Sequence, residues 1–304
     1  MHVSEALTLG AKRLRHAGID EAQVECEHML MKLLNVTRSV LHYDLCHLAS
    51  EPSAQTAKRV LAAEQEKQFF DWIESREKRI PLAYLIGDVF FHSLKLKIRP
   101  GCLIPRPETE RLVEEAIKII RVDNSESPVL MDIGTGSGAI ALAILTAFSK
   151  AKAVMVDISA EALKLARENA EQVGLINRVE FIQSDLFSDS FFLDRSLRFD
   201  LIVSNPPYLT AEDMASLQPE VAHEPPMALD GGKDGLDFYR RIIPEAKKFL
   251  KPQGWLGFEV GAGQAPAVCE ELKRNGYDDL KVFKDHQQFE RVILARATTI
   301  NSRF

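Results

Sequence analysis

The chain has little of what marks secreted, membrane or metal-dependent proteins. Its four cysteines, Cys26, Cys46, Cys102 and Cys269, are far apart and form no C-x-x-C pair. This spacing suits free, mostly buried thiols in a reducing compartment. None of the eight histidines pairs at metal-ligand spacing and H-E-x-x-H is missing, so no metal site is expected. Apolar runs are short: the longest, Ala139 to Phe148, is broken by Thr146 and is too short to span a bilayer. Met1-His2-Val3-Ser4-Glu5 lacks a basic n-region and an apolar h-region. No signal peptide and a cytoplasmic location are therefore expected. Basic charge is not in excess either, with 38 Lys and Arg against 44 Asp and Glu for a net charge of −6. A general nucleic-acid binder carries the opposite balance, so neither stable nucleic-acid binding nor membrane partnership is expected. Internal repeats and low-complexity segments are missing too.

What is present is ordinary for a globular protein: 46% apolar and 27% charged residues. A length of 304 residues is natural for two domains. Residues 1–78 read as a small helical bundle. Asp20-Glu21-Ala22-Gln23 resembles a capping box, and Val24, His28, Met31 and Leu34, widened by Leu30 and Leu33, recur at helical spacing. A further helix is expected from Ala57 to Lys78, stopping before Pro81. Residues 79–104 read as a β-hairpin linker, with strands at Val89-Phe90-Phe91 and Leu94 to Ile98. Residues 105–304 form the second domain and open with a helix from Glu108 to about Ile120. From Val129 on, strands and helices alternate. Strands are expected at Val129–Met131, Ala153–Val156, Val179–Ile182, Leu201–Val203 and Trp255–Val260, with helices at Ala139–Phe148, Ala160–Val173, Phe238–Leu250 and Ala265–Asn275. Two last strands, near Lys281–Phe283 and Arg291–Ala295, form an antiparallel edge hairpin. Such alternation means an α/β fold with a mostly parallel sheet, which binds ligands at the carboxyl ends of its strands.

Asp132-Ile133-Gly134-Thr135-Gly136-Ser137-Gly138 falls between the first of these strands and its helix. Glycines there permit a tight turn and close approach of a ligand to the backbone. Asp157, ending the next strand, is placed to accept ribose hydroxyls. Both features occur in NAD enzymes and in enzymes using S-adenosylmethionine. The tight G-x-G-x-G spacing favours the second class. So does Asp132, which would repel a pyrophosphate but suits an ammonium or sulfonium. Ser184-Asp185 follows the third strand, where a carboxylate could receive an adenine amino group. A helix cap or a solvated loop acid explains Asp185 equally well.

Asn205-Pro206-Pro207-Tyr208 directly follows the apolar run Leu201-Ile202-Val203. Prolines donate no backbone hydrogen bond and hold φ nearly constant, and they push the preceding residue to extended geometry. The Asn205 side-chain oxygen and the Pro206 carbonyl are thus presented together with no neighbouring N–H. Two acceptors match a planar –NH2 group, and Tyr208 offers a flat face beside it. A plain proline-rich loop is the structural alternative.

In this order, the glycine turn, Asp157, Asp185 and N-P-P-Y resemble a class I S-adenosylmethionine-dependent methyltransferase of the amino-group methylating branch. Three further segments resemble the PrmC/HemK family of release factor glutamine N5-methyltransferases. They are Tyr84-Leu85-Ile86-Gly87; Leu103-Ile104-Pro105-Arg106-Pro107-Glu108-Thr109-Glu110; and Glu224-Pro225 through Ala228-Leu229, Gly231-Gly232 and Asp234-Gly235-Leu236 to Tyr239-Arg240. The resemblance covers essentially the whole chain. It implies a Rossmann-like, mostly parallel seven-stranded sheet behind a helical docking domain. The implied cofactor is S-adenosylmethionine, leaving S-adenosylhomocysteine, and the implied substrate is the glutamine of the Gly-Gly-Gln motif in class I peptide-chain release factors. Carried over, Gly134, Thr135, Gly136, Ser137 and Gly138 wrap the methionine part, Asp157 holds the ribose, and Asp185 and Leu186 frame the adenine. Asn205, also beside the cofactor, and Pro206 accept from the glutamine amide, while Pro207 and Tyr208 shape its slot. The Pro105 to Glu110 segment borders the site, with Arg106 and Glu108 as candidate loop fasteners. Alternatives are a nucleic-acid amino-methyltransferase acting on adenine N6 or guanine N2, a non-catalytic scaffold, and an NAD-dependent oxidoreductase.

Overall fold

The computed structural model describes residues 1–46, 59–194 and 196–298. They form two compact units: Met1–Gly87 with Pro219–His223, and Asp88–Gln218 with Glu224–Phe304.

The smaller unit is helical, with α1 (Val3–His16), α2 (Ala22–Leu34), α3 (Arg38–Cys46), α4 (Ala63–Glu77) and the short α5 (Leu82–Ile86). Its core holds Ala6, Leu14, Met29, Leu30, Phe69 and Ile73, none of them solvent-exposed. The expected capping box does not form: Glu21 precedes α2 and makes no side-chain cap, and Gln23 donates to Glu27 instead. The buried face of α2 carries Ala22, Cys26, Met29 and Leu30, while His28 is exposed and Val24 half-buried. Leu and Met at almost every turn of α2 leave more than one face apolar enough to bury, so packing against α1 chooses. α4 starts at Ala63 rather than Ala57, because His2 and Val60 pair as an isolated β-bridge. Residues 57 and 58, like the Cys46 side chain, lie outside the described residues. Buried Arg76 ties the unit together, bonding Glu25 at 2.7 Å and Glu220 at 2.8 Å.

The larger unit begins with an antiparallel hairpin, β1 (Asp88–Phe91) and β2 (Leu94–Lys97). Leu94 and Leu96 are buried while Lys95 and Lys97 are exposed, as strict alternation requires. After a turn of 3-10 helix at Pro107–Thr109 comes α6 (Glu110–Val122), burying Leu112, Val113, Ala116, Ile117 and Ile120. The alternating part runs β3 (Val129–Ile133), α7 (Ala139–Ala147), β4 (Lys152–Asp157), α8 (Ala160–Gln172), β5 (Val179–Gln183) and β6 (Phe199–Ser204). It continues with α9 (Ala211–Ala215), α10 (Asp237–Ala246), β7 (Leu250–Glu259), α11 (Ala265–Arg274), β8 (Tyr277–Lys284) and β9 (Glu290–Ala297). Strand order is β5-β4-β3-β6-β7-β9-β8. The first five strands are parallel and β9 runs antiparallel to both β7 and β8. Separate apolar clusters cover the two faces, one including α6 and α7, the other α10 and α11. β3 leads to β4 on one side and pairs with β6 on the other, so strand order reverses there and opens a crevice at the carboxyl ends. Among the described residues, no helix is long and apolar enough to cross a membrane.

Gly10 in α1 marks the closest approach in the smaller unit. A Cβ there would lie 2.8 Å from Phe69 Cζ and 3.1 Å from Cys26 Sγ. Alanine favours a helix over glycine by about 1 kcal/mol, but overpacking a filled core costs about 1–3 kcal/mol. Overpacking should win, and Gly10→Ala is expected to lower the urea unfolding midpoint. A raised midpoint would mean that Phe69 yields freely.

Candidate active site

A cavity of about 390 Å³ opens at the carboxyl ends of β3, β4 and β6. Its wall includes Gly134, Gly136, Asp157, Asp185, Asn205 and Pro206, with Leu186 and Pro207 beside them. Eight residues singled out in the sequence thus converge on one space. Thr135, Ser137 and Gly138 belong to the same turn but do not line the cavity, and Tyr208 stands behind the wall. His223 is not among the lining residues; its Nε2 lies 3.1 Å from the Lys78 carbonyl in the smaller unit.

The glycine turn is held at both ends. Gly134 and Thr135 both donate to the Val156 carbonyl, at 2.8 and 3.0 Å. Gly134 has a φ of +69° with nothing near its missing Cβ, a conformation that glycine adopts without strain. Gly136 N–H donates to Asp157 Oδ2 and Ser159 N–H to Oδ1, both at 2.9 Å. Burial raises the Asp157 pKa, and these backbone donors oppose the shift. Asn169 of α8 is wholly buried and donates to the Ser137 carbonyl at 2.9 Å. Its oxygen accepts from Lys97 N–H at 2.7 Å. One side chain thereby joins the turn to the hairpin.

Asp132 does not reach the cavity. Its Oδ2 accepts from Thr135 Oγ1 at 2.7 Å and from Ala141 N–H at 3.3 Å, while Oδ1 has no partner. It clamps the turn onto α7 rather than facing a ligand directly. Burial pushes its pKa up to about 7, against the pull of Thr135 and Ala141.

After β6, Ser204 Oγ donates to the Ile133 carbonyl at 2.7 Å. The Asn205 side-chain nitrogen donates to Thr109 Oγ1 at 3.3 Å. Among the described residues, no hydrogen bond ends on Asn205 Oδ1 or the Pro206 carbonyl. Both acceptors therefore remain available at the cavity wall. Tyr208 points its hydroxyl at Glu259 Oε1, 3.4 Å away. Its main-chain carbonyl accepts from Gln264 Nε2 at 2.8 Å. The chain regains ladder-like bonding only beyond the prolines, through Leu209 N–H to Leu229 O and Gly231 N–H to Leu209 O. A Cβ on Gly231 would sit 2.7 Å from Tyr208 Cα, so only glycine fits there.

Several contributors escape single-sequence reading. Glu224, almost fully buried, accepts from Ile104 N–H at 2.9 Å and from Arg106. Arg106 does fasten the loop, and Glu224 is its anchor. Both residues lie in the segments quoted above, but one sequence cannot show that they pair. Arg241 of α10 makes two 2.7 Å bonds to Asp185, for which no spacing rule exists. Glu259 closes the otherwise buried strand Trp255–Phe258 and is itself 1% exposed. An acid in such a run is a readable signal of a perturbed group.

The raised acid sets the direction of pH dependence. At low pH, Asp132 is protonated in folded and unfolded chains alike. As pH rises from 3.8 to about 7, the unfolded chain releases this proton first, so stability falls across that window and levels above it. Asp132→Asn is expected to shrink this fall, with buried Glu259 supplying a remainder of the same sign. Urea midpoints on either side of the window check it; an unchanged slope would exonerate Asp132.

Comparisons with known proteins match this architecture. Residues 5–87 match the PrmC N-terminal domain and residues 116–224 the Methyltransferase small domain. A release factor glutamine methyltransferase of Caulobacter vibrioides is 37% identical over 98% of this chain and 97% of its own length. Another, from Geobacter sulfurreducens, is 39% identical over 93% of this chain and 92% of its own. The solved structure of a methyltransferase from Pyrococcus furiosus has a TM-score of 0.50 at 19% identity, covering 67% of this chain and 89% of that one. This last likeness concerns the fold, the class I methyltransferase fold expected from the sequence. With identities of this size over nearly its full length, the chain belongs to the release factor glutamine methyltransferase family.

Proposed function

We propose that the chain transfers a methyl group from S-adenosylmethionine to the side-chain amide nitrogen, N5, of the glutamine in the Gly-Gly-Gln motif of class I peptide-chain release factors. The names of its relatives support this. The observation that carries it is the pair of unengaged acceptors, Asn205 Oδ1 and the Pro206 carbonyl, on the wall that also holds Gly134, Gly136 and Asp157.

The residues fit the cofactor. The cavity volume, about 390 Å³, is within the ordinary range for small-molecule pockets. Gly134 leaves open space where a side chain would intrude. Each Asp157 oxygen spends one lone pair on a backbone N–H and keeps another for a ribose hydroxyl. Leu186 and Asp185 would border the adenine, whose amino group would share Asp185 with Arg241.

When bound, the cofactor supplies a methyl group already activated on a sulfonium, so the protein need not generate a strong nucleophile. Its task is alignment, because oriented reactants avoid most of the entropic barrier. Asn205 and Pro206 would accept the two amide hydrogens and set the plane of the amide. Positive charge builds on that nitrogen during transfer, and the acceptors then bind more strongly than in the ground state. The surplus proton on nitrogen can leave to water after transfer, so no catalytic histidine, cysteine or metal is needed. Pro207 and the Tyr208 backbone shape the slot. We assign residues 1–78 to docking the release factor in the cytoplasm, since a glutamine loop alone offers too little contact to offset the cost of association. Residues 79–104 then serve as a β-hairpin linker to the catalytic residues 105–304.

The direct test is label transfer from S-adenosylmethionine to a purified class I release factor, beside its Gly-Gly-Ala variant and bare RNA. Label on the intact factor alone is expected; equal label on both factors, or label on RNA, would overturn the substrate. Asn205→Ala is expected to cut kcat about 100- to 1000-fold with cofactor affinity nearly unchanged. Asp157→Ala should act chiefly on cofactor binding, by about 1.5–3 kcal/mol, read by calorimetric titration.

A further inference from the structure

We propose that Gln264 is a positioning residue that holds the backbone beyond Pro206 and Pro207 and thereby fixes the direction of the Pro206 carbonyl. The proposal rests on the role given to Asn205 and Pro206 above.

The backbone that carries the two acceptors is held at its ends. At the near end, Ser204 pairs with Ile133 of β3 and Phe258 of β7. At the far end lies the peptide that joins Tyr208 to Leu209. Its N–H donates to the Leu229 carbonyl at 2.9 Å, and its carbonyl accepts from Gln264 Nε2 at 2.8 Å. Both edges of one peptide plane are therefore held. Peptide units are rigid, and each proline between the ends has a nearly fixed φ. Few torsions remain free, and holding the ends settles them. The Pro206 carbonyl thus points where the Tyr208–Leu209 plane directs it. The Leu209 bond alone would let that plane swing about the N–H···O line, and Gln264 removes the swing.

Gln264 does not line the cavity. It stands at the N-cap of α11, yet its side chain makes no cap bond. Its Oε1 accepts from Gly261 N–H at 3.0 Å, while Gln264 N–H donates to the Gly261 carbonyl at 3.1 Å. The side chain is thereby locked to its own turn. Its Nε2 then faces the Tyr208 carbonyl and, at 3.4 Å, the Gly235 carbonyl. A backbone N–H can only donate and a carbonyl can only accept, so these partners allow one orientation of the amide. A carboxylate of the same shape would keep the bond to Gly261 and lose both others.

Packing around Tyr208 makes the same demand. A Cβ on Gly235 would collide with the Tyr208 carbonyl oxygen and with Gln264 Nε2. One on Gly261 would lie 3.1 Å from Tyr208 Cδ2 and 2.8 Å from Gln264 Oε1. Together with Gly231, these glycines leave the space through which Gln264 reaches Tyr208. None of the three lines the cavity. The segment Gly231-Gly232 to Asp234-Gly235-Leu236 thus serves the site from behind its wall.

Two variants separate hydrogen-bond donation from space-filling. In methyl transfer to a release factor, Gln264→Met should lower kcat about 10-fold. That is short of the roughly 100-fold cost of a misplacement of about 1 Å, because Leu209 still holds one edge of the peptide. Gln264→Glu should lower kcat further, since its carboxylate meets two carbonyl oxygens. Cofactor affinity, read by calorimetric titration, should be unchanged in both. Pro207-Tyr208 is the only Pro-Tyr pair in the chain. Protein labelled with 13C at proline carbonyls and 15N at tyrosine therefore gives one amide signal from the slot itself, and that signal should move in both variants. An unmoved signal, unchanged kcat in Gln264→Met, or Gln264→Glu closer to wild type than Gln264→Met would overturn the proposal. Loss of cofactor binding together with kcat would make Gln264 merely structural and overturn it too. A wild type that labels no release factor would overturn the substrate reading instead, and the amide signal would still decide whether Gln264 sets the slot.

Discussion

At the carboxyl end of β6 the chain runs out of backbone donors, because Pro206 and Pro207 carry no N–H. Much of the site is arranged around that shortage. Carbonyls there cannot be silenced by local turns, so Pro206 keeps a free acceptor. Asn205 cannot be steadied by its neighbours and is steadied by Thr109 from the start of α6. The Tyr208 carbonyl is met by Gln264 at the start of α11. The chain rejoins a hydrogen-bonded pattern only through Leu229 and Gly231, and the resulting approach to Tyr208 is too close for any side chain at Gly231. Glycine at 231 is thus a consequence of proline at 206 and 207.

A second constraint is buried charge. β6 lies between β3 and β7, and each neighbour carries a buried acid near its carboxyl end, Asp132 and Glu259. Each acid has one oxygen without a partner. An unmet buried polar group costs about 1–3 kcal/mol, so both positions reduce stability. Each borders a part of the site that must keep one shape: Asp132 clamps the glycine turn to α7, and Glu259 stands behind Asn205 and Tyr208. Incomplete hydrogen bonding beside a site is where local rules are commonly broken for function.

Much of the fold could be read from periodicity. The apolar runs Val129-Leu130-Met131 and Ala153-Val154-Met155-Val156 lie within β3 and β4, the first leading into the glycine turn and the second ending at Asp157, and Ser159 caps α8 as its hydroxyl chemistry suggests. Reading was weakest where amphipathicity was weak. On α2 several faces were apolar enough to bury, and the partner helix rather than the pattern selected Cys26 and Met29. The short α5 gave no periodic signal because it is barely longer than one turn. At the site, the residues on sharp local signatures were legible: glycines at Gly134 and Gly136, the strand-end Asp157, and Asn205 before its prolines.

By itself the sequence determined which backbone stretches are stiff, which can turn left-handed, and where strands end. These are properties of a residue and its immediate neighbours, and they suffice to name Asn205, Pro206 and the glycine turn. Tertiary structure alone decided the pairings across the chain: Glu224 with Arg106, Asp185 with Arg241, and Thr109 with Asn205. It also withdrew Tyr208 from the cavity wall by turning its hydroxyl to Glu259. The physical reason is that a hydrogen bond or an ion pair depends on distance and direction in space. Residues 96 positions apart, as Thr109 and Asn205 are, acquire both only when the sheet has brought its strand ends together.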